Sequence, residues 1–204
     1  HNSVISMLQD DRGFLWFGTK DGLNRYDGYN FNNFQNNNED DKSIGSNFIR
    51  CLSEFNGYLW VGTDTGLFKY DEKNETFALV ESTKNKPILD IKGDSDGNLW
   101  FIASGSLHKL ALNKGQSQEV IFTQFYSTFL TTNDAGDVFV ASSDEFFKYV
   151  NGSDSFQKIN LHYKTPNDER IIITTIAAQG KDSIYIGTKN NGALIYNRLT
   201  KQLT

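Results

Sequence analysis

Cysteine and proline are almost missing from this chain. Its one cysteine, Cys51, excludes an intramolecular disulfide and any thiolate cluster for zinc. That residue lies in the apolar run FIRCL, where a small buried hydrophobe is the expectation. Two prolines in 204 residues leave no Pro-rich linker. No run of 18 apolar residues occurs, so no segment reads as a transmembrane helix. Positive charge is not in excess either: the formal net charge of −5 disfavours a nucleic-acid partner and an anionic membrane surface. The three histidines, at 1, 108 and 162, have no metal-ligand spacing. Helical periodicity is absent from every 11-residue window. The chain opens at His1 without an initiator Met or a signal peptide, and is therefore expected to be a piece of a longer protein.

What the chain has is aromatics (16 Phe, 9 Tyr and 3 Trp), and they recur in order. GFLWFGTKDGLNRYD around Trp16 lies over GYLWVGTDTGLFKYD around Trp60 and GNLWFIASGSLHKLA around Trp100. Weaker copies are GDVFVASSDEFFKYV around Phe139 and DSIYIGTKNNGALIYN around Tyr185, so the anchors are spaced by 44, 40, 39 and 46 residues. Each unit runs from a β-rich stretch (VISML, FIRCL, ILDI, TFLTT, ITTIA) through a Gly- or Asp-bearing turn to the anchor run. A second turn, a third run and a variable fourth run follow. That is four short strands per unit. Leu15, Trp16 and Phe17 do not alternate with polar residues, which predicts a strand covered on both faces. Sheets stacked radially supply that environment. The expected fold is all-β: a β-propeller of four-stranded antiparallel blades, with five repeats in one domain. The blades fall near 1–47, 48–87, 88–127, 128–171 and 172–204. The anchor Trp is expected between blades, and the Gly after it should let a neighbouring backbone approach.

The residues from Asp10 to Asp27 (DDRGFLWFGTKDGLNRYD) closely resemble the two-component regulator propeller repeat, and Leu59 to Asp71 resemble it almost as well. The resemblance extends with less strength over the later units, and residues 1–31 look like that family's first blade. The family's repeats form ectodomains of hybrid histidine kinases of Bacteroidetes. The resemblance therefore implies the N-terminal part of a periplasmic sensor that detects oligosaccharides and regulates polysaccharide use. It further implies a homodimer in the parent protein, the remainder of the ectodomain as a partner, and a membrane reached only through segments not in this chain. A structural or protein-docking propeller is the alternative, and a propeller glycosidase or lyase a further one.

No cofactor, metal or catalytic residue is assigned. Asp11-x-Gly13-x-x-Trp16 also resembles the Asp-box of sialidases, which is a structural hairpin in those enzymes. The five arginines (Arg12, Arg25, Arg50, Arg170, Arg198) show no convergence on a substrate carboxylate. Asp10-Asp11, Glu39-Asp40-Asp41 and Asp94-x-Asp96 could pair for glycoside hydrolysis, but Asp-Gly-Asn turn chemistry explains Asp94 to Asn98 without a metal. Asn36 to Asp41 reads as a solvated loop, and His108 as a packed or half-exposed strand position. Ligands of propellers enter over the loops before the innermost strand and between the second and third strands. This puts Lys20, Asp21, Asp64, Lys189 and Asn190 at a candidate binding face. One register of the innermost strands aligns Ser6, Arg50, Asp90, Phe129 and Thr175. Arg50 and Asp90 could contact sugar hydroxyls or an acidic group, or simply pair with each other.

Overall fold

A computed structural model describes residues 3–112, 118–122, 129–161 and 171–204. The described residues form five antiparallel sheets and almost no helix. The first sheet orders β1 (Val4–Gln9), β2 (Leu15–Thr19), β3 (Gly22–Tyr26) and β4 (Phe31–Phe34) in sequence. The second repeats this with β5 (Ile49–Phe55), β6 (Tyr58–Thr63), β7 (Leu67–Asp71) and β8 (Thr76–Leu79). The third is built from β9 (Ile88–Gly93), β10 (Asn98–Ala103), β11 (Ser106–Ala111) and β12 (Gln118–Phe122). β13 (Phe129–Thr132), β14 (Val138–Ala141), β15 (Phe146–Val150) and β16 (Ser155–Lys158) make the fourth. The fifth holds three strands, β17 (Ile173–Gln179), β18 (Ser183–Thr188) and β19 (Ala193–Asn197), with an isolated bridge from Tyr196 to Leu203 where a fourth strand was expected. These are propeller blades: antiparallel meanders, four-stranded in the first four sheets and three-stranded in the fifth, each repeating the same aromatic grammar. The chain divides into two compact units, residues 1–93 with Phe101–Ser104, and Asp94–Trp100 with residues 105–204.

The unbroken apolar runs behave as predicted where a sheet has neighbours. In β6 Leu59, Trp60 and Val61 are all buried, and β14 is buried throughout. In β2 and β18 burial alternates instead, with Phe17 half-buried and Tyr185 exposed. One face of each of these two strands is wet.

In the first unit Trp16 packs edge-on to Tyr70 at a centroid distance of 5.2 Å, and Phe34 meets Phe77 at 5.7 Å. Leu23, Ile44, Ile49 and Val61 complete this core at zero exposure. In the second unit Phe139, Phe146, Ile184, Ile186 and Leu194 form an equivalent core. The glycine after the anchor is required by a close approach, though of a side chain rather than of backbone. A Cβ on Gly18 would stand 2.6 Å from Ile49 Cγ2, and one on Gly62 would stand 2.8 Å from Ile88 Cγ2. Ile49 and Ile88 each open the innermost strand of the next sheet, so the space of the missing Cβ is shared between the following blade and the cross-strand Ser6 Oγ or Cys51 Sγ.

The turns explain the acidic residue six before the anchor. Asp10 Oδ1 accepts the backbone N–H groups of Arg12 and Phe14, while Oδ2 accepts the Trp16 indole N–H at 2.8 Å. Asp94 does the same for Asp96, Asn98 and Trp100. One carboxylate thus caps a hairpin and satisfies a buried indole. Both Asp94 oxygens are engaged by hydrogen-bond donors, so this acid belongs to the turn. The second sheet lacks the aspartate. There Asn56 and Gly57, both at positive φ, make a two-residue turn, and Phe55 O accepts the Trp60 indole at 3.2 Å.

That shorter turn corrects the register predicted for the innermost strands. Ser6, Cys51 and Thr175 are the matching residues, opposite Gly18, Gly62 and Gly187. Arg50 is the extra residue of a β-bulge between Ile49 and Cys51. The bulge recurs between Val4 and Ser6 and between Ile173 and Thr175. Cys51 is half-buried with its thiol 3.8 Å from Ile88 O, and desolvation pushes its pKa up. It packs as the small hydrophobe expected. His108 is buried in β11. The Asn36 end of the loop before the second sheet is held rather than loose: Asn36 N–H donates to Asn47 Oδ1 at 2.7 Å and its amide to Ile44 O at 2.9 Å.

Candidate functional site

The bulge in β5 turns Arg50 out of the strand ladder, which is how bulges re-aim a side chain. Its guanidinium forms an ion pair with Asp64, at the end of the neighbouring strand. The pairing of Arg50 with Asp90 weighed from sequence is thus replaced by one within the sheet, and Asp90 meets Lys92 at 3.4 Å. Arg50 also lies over the Phe48 ring, 4.8 Å from its centroid, and the Lys20 ammonium approaches the same ring at 5.6 Å. Two of the predicted residues, Lys20 and Arg50, therefore converge on Phe48, and a third, Asp64, is paired to Arg50. Sequence reasoning missed this ring. Its signal was an aromatic residue two before a bulged arginine.

Phe48 is half-buried, as are the side chains of Arg50 and Asp64 at 33% and 36% exposure. Two cations over one aromatic ring gain from its quadrupole. An apolar ring bordered by Lys and Arg donors and a carboxylate acceptor is chemically suited to a polyol, whose C–H faces are apolar and whose rim is hydroxyl. Asp90, Lys92 and Arg50 all act electrostatically on the Cys51 thiol, with Asp90 raising its pKa and the two cations lowering it. Asp90 thus belongs to the same neighbourhood of the first unit.

The other predicted residues stand elsewhere. Asp21 accepts from the Gln35 amide and lines a separate cavity of about 460 Å³ with Phe17, Phe31 and Asn33. Lys189 and Asn190 belong to the second unit, at the β18–β19 turn, where Lys189 N–H donates to Ile172 O. Among the described residues no group of three His, Cys, Asp or Glu side chains could hold a metal ion, and no helix is long and apolar enough to cross a membrane. Arg170, His1 and His162 lie outside the described residues.

Residues 1–21 match the two component regulator propeller family. Over 43 residues the chain is 54% identical to histidine kinase P4 of Formosa agariphila, a match covering 21% of this chain and 3% of that kinase. An extracellular domain from B. thetaiotaomicron is similar in fold. Described as belonging to a one component system, it superposes with a TM-score of 0.78 at 20% identity, over 98% of this chain and 27% of that one. A second structure of it, described as belonging to a hybrid two component system, gives 0.73 at 21% identity over 95% and 27%. Virginiamycin B lyase of Staphylococcus aureus also shares the fold, with a TM-score of 0.73 at 12% identity over 98% of this chain and 68% of the lyase. The chain thus spans about a quarter of the extracellular domains it resembles and a small fraction of the kinase.

Proposed function

We propose that the chain is a ligand-sensing propeller segment of a hybrid two-component sensor histidine kinase, lying outside the cytoplasm in the periplasm and acting without catalysis of its own. The observation that carries this reading is the repeat itself, matched to the regulator propeller family at residues 1–21 and to a histidine kinase at 54% identity. The ligand is an oligosaccharide, and the parent protein uses it to regulate polysaccharide breakdown. Lys20, Arg50 and Asp64 around Phe48 form the contact surface best suited to a sugar, with Asp90 beside them. Asp21, Lys189 and Asn190 are flanking candidates. Signalling passes through a homodimer of the whole protein. Support for the non-enzymatic reading lies in the turn roles of Asp10 and Asp94, which occupy the acids that hydrolysis would need. The lyase likeness is one of fold alone.

Thermal unfolding of this chain and of the full-length ectodomain, against a panel of plant and host oligosaccharides, tests the proposal. A ligand at a hundred times its dissociation constant stabilises the native state by about 2.7 kcal/mol. At this size that is a shift of roughly 5–11 °C, taking about 2–4 °C per kcal/mol. One glycan class shifting both proteins is the expected result. A shift in the ectodomain alone makes these blades scaffold, which is the docking alternative. No shift in either removes the carbohydrate ligand.

A further inference from the structure

Each compact unit carries a groove at the same place in the repeat. It lies where the turn before an anchor strand faces the tyrosine and following loop of the next sheet. In the first unit Asp10, Arg12, Tyr70 and Glu72 are among its lining residues, and its volume is about 190 Å³. In the second Asp94, Asp96, Tyr149 and Asn151 hold the equivalent places, and the volume is about 400 Å³. Arg12 and Asp96 each stand four residues before their tryptophan, and Glu72 and Asn151 two after their tyrosine.

What closes the two grooves differs. Arg12 forms an ion pair with Glu72 and lies 3.7 Å from Asp10, while Asp11 N–H donates to Glu54 at 2.9 Å. The chain thus plugs its first groove with its own charges. In the second, uncharged residues take most of those places: Ser95 for Asp11, Val150 for Asp71, Asn151 for Glu72 and Gly152 for Lys73. Asp94 is completed by the Asn98 amide at 2.8 Å rather than by a guanidinium. Asn151 donates to Asp96 at 2.8 Å, and Lys148 is held by Asp137 at 2.7 Å.

We propose that the second groove is a low-affinity site for a neutral sugar residue, separate from the surface around Phe48. Small-molecule pockets span roughly 300–1,000 Å³, a range that admits the second groove and not the plugged one. Donors and acceptors both line it: the Ser95 hydroxyl, the Asn151 and Gln157 amides and the Asp96 carboxylate. The bond to Asp96 uses one N–H of Asn151 and leaves its other N–H and its carbonyl to neighbouring sugar hydroxyls. Val150, 38% exposed, offers an apolar edge to a C–H face. An anionic sugar would meet Asp96, and the lining cation, Lys148, already has Asp137. Affinity is low because each bond made to the sugar replaces one to water at an open surface. The inference rests on reading the protein as an oligosaccharide sensor.

Saturation-transfer NMR on the full-length protein tests this, with cellotetraose, xylotetraose, mannotetraose and lacto-N-tetraose as neutral probes and tetragalacturonate as the acidic one. The unchanged protein is compared with Phe48→Ala, which leaves the groove intact. Asp96→Arg with Asn151→Glu, added to Phe48→Ala, copies the plug of the first groove at two exposed positions. Gln157→Ala, also exposed, is the milder change should the plug disturb folding, which the thermal midpoint without sugar reports. Expected is a neutral tetrasaccharide whose signal persists in Phe48→Ala, falls at least fivefold with the plug and falls at least twofold with Gln157→Ala. Signal already lost in Phe48→Ala overturns the groove and leaves the sensing proposal standing. Signal that survives both the plug and Gln157→Ala also overturns the groove, and signal from tetragalacturonate alone overturns the neutral class. No signal from any sugar in the unchanged protein removes the sensing proposal, and the groove with it.

Discussion

Trp16 and Trp100 sit in two separate units and are held in the same way by different residues. Arg25 and Glu75 clasp one joint, Lys109 and Asp154 the other. The longer guanidinium is matched with the longer acid in the first, but the hydroxyl changes its part. Tyr70 Oη accepts from Arg25, whereas Tyr149 Oη donates to Asp154 while accepting from Lys109. A phenol can do either, so the repeat tolerates the exchange. Arg25 and Lys109 are nonetheless mostly buried, at 12% and 17% side-chain exposure, and their aliphatic stems cover the indoles. Apolar stacking therefore holds the joints, and the charges select the partner and register.

Removing the anchor gives the sharpest test of that ranking. Trp100→Ala should cost about 3–5 kcal/mol, as burying a large ring is the main term, read as a lower urea midpoint. Trp60→Ala should cost as much, because its indole is also buried although no aspartate caps it. A smaller effect is expected when only the cap is removed. Asp94→Ala strips the Trp100 indole and two turn amides of their acceptor and should cost about 1–3 kcal/mol, while Glu54→Ala, at the same place before Trp60, removes only the exposed acceptor of the Asp11 N–H and should cost less, under about 1 kcal/mol. Equal losses would mean that the acid is not what caps the hairpin.

Gly62→Ala should cost about 1–3 kcal/mol by overpacking against Cys51 Sγ first and Ile88 next. Adding Ile88→Ala should recover the part of that loss owed to Ile88, and simple additivity in the double variant would refute the close approach of the following blade. The clasp charges come last. Hydrogen bonds from Tyr149 and Lys109 hold the Asp154 carboxyl below its ordinary value. A depressed carboxylate contributes stability that is present above about pH 4 and lost as pH falls through its folded-state pKa. Asp154→Asn should therefore lower the thermal midpoint slightly at pH 7 and flatten the acid limb of the stability profile below pH 4. Exposure of the Asp154 carboxylate keeps the effect under about 1 kcal/mol.

The blades were legible because their signal is local: an anchor aromatic, a glycine two places on, and turn residues at fixed offsets. Trp16, Trp60 and Trp100 could be aligned without gaps. The register of the innermost strands could not, because Asn56 and Gly57 shorten one hairpin, and nothing in an ungapped alignment reveals it. The clasps were hidden for another reason: Arg25 and Glu75 are 50 residues apart, and their meeting depends on how one sheet stacks on the next. Lys20 and Asp64 were picked as candidates from their loops and Arg50 from the innermost-strand register, while Phe48 was overlooked because the aromatic that opens FIRCL reads as core.

The most direct test of the sensing account is a glycan-array comparison of the full-length ectodomain with its Phe48→Ala and Lys189→Ala variants, using neutral and acidic plant and host oligosaccharides. The account predicts one bound glycan class, weakened at least tenfold, or about 1.4 kcal/mol, by Phe48→Ala and little changed by Lys189→Ala. Binding that survives Phe48→Ala intact, or no binding to any glycan, would contradict it.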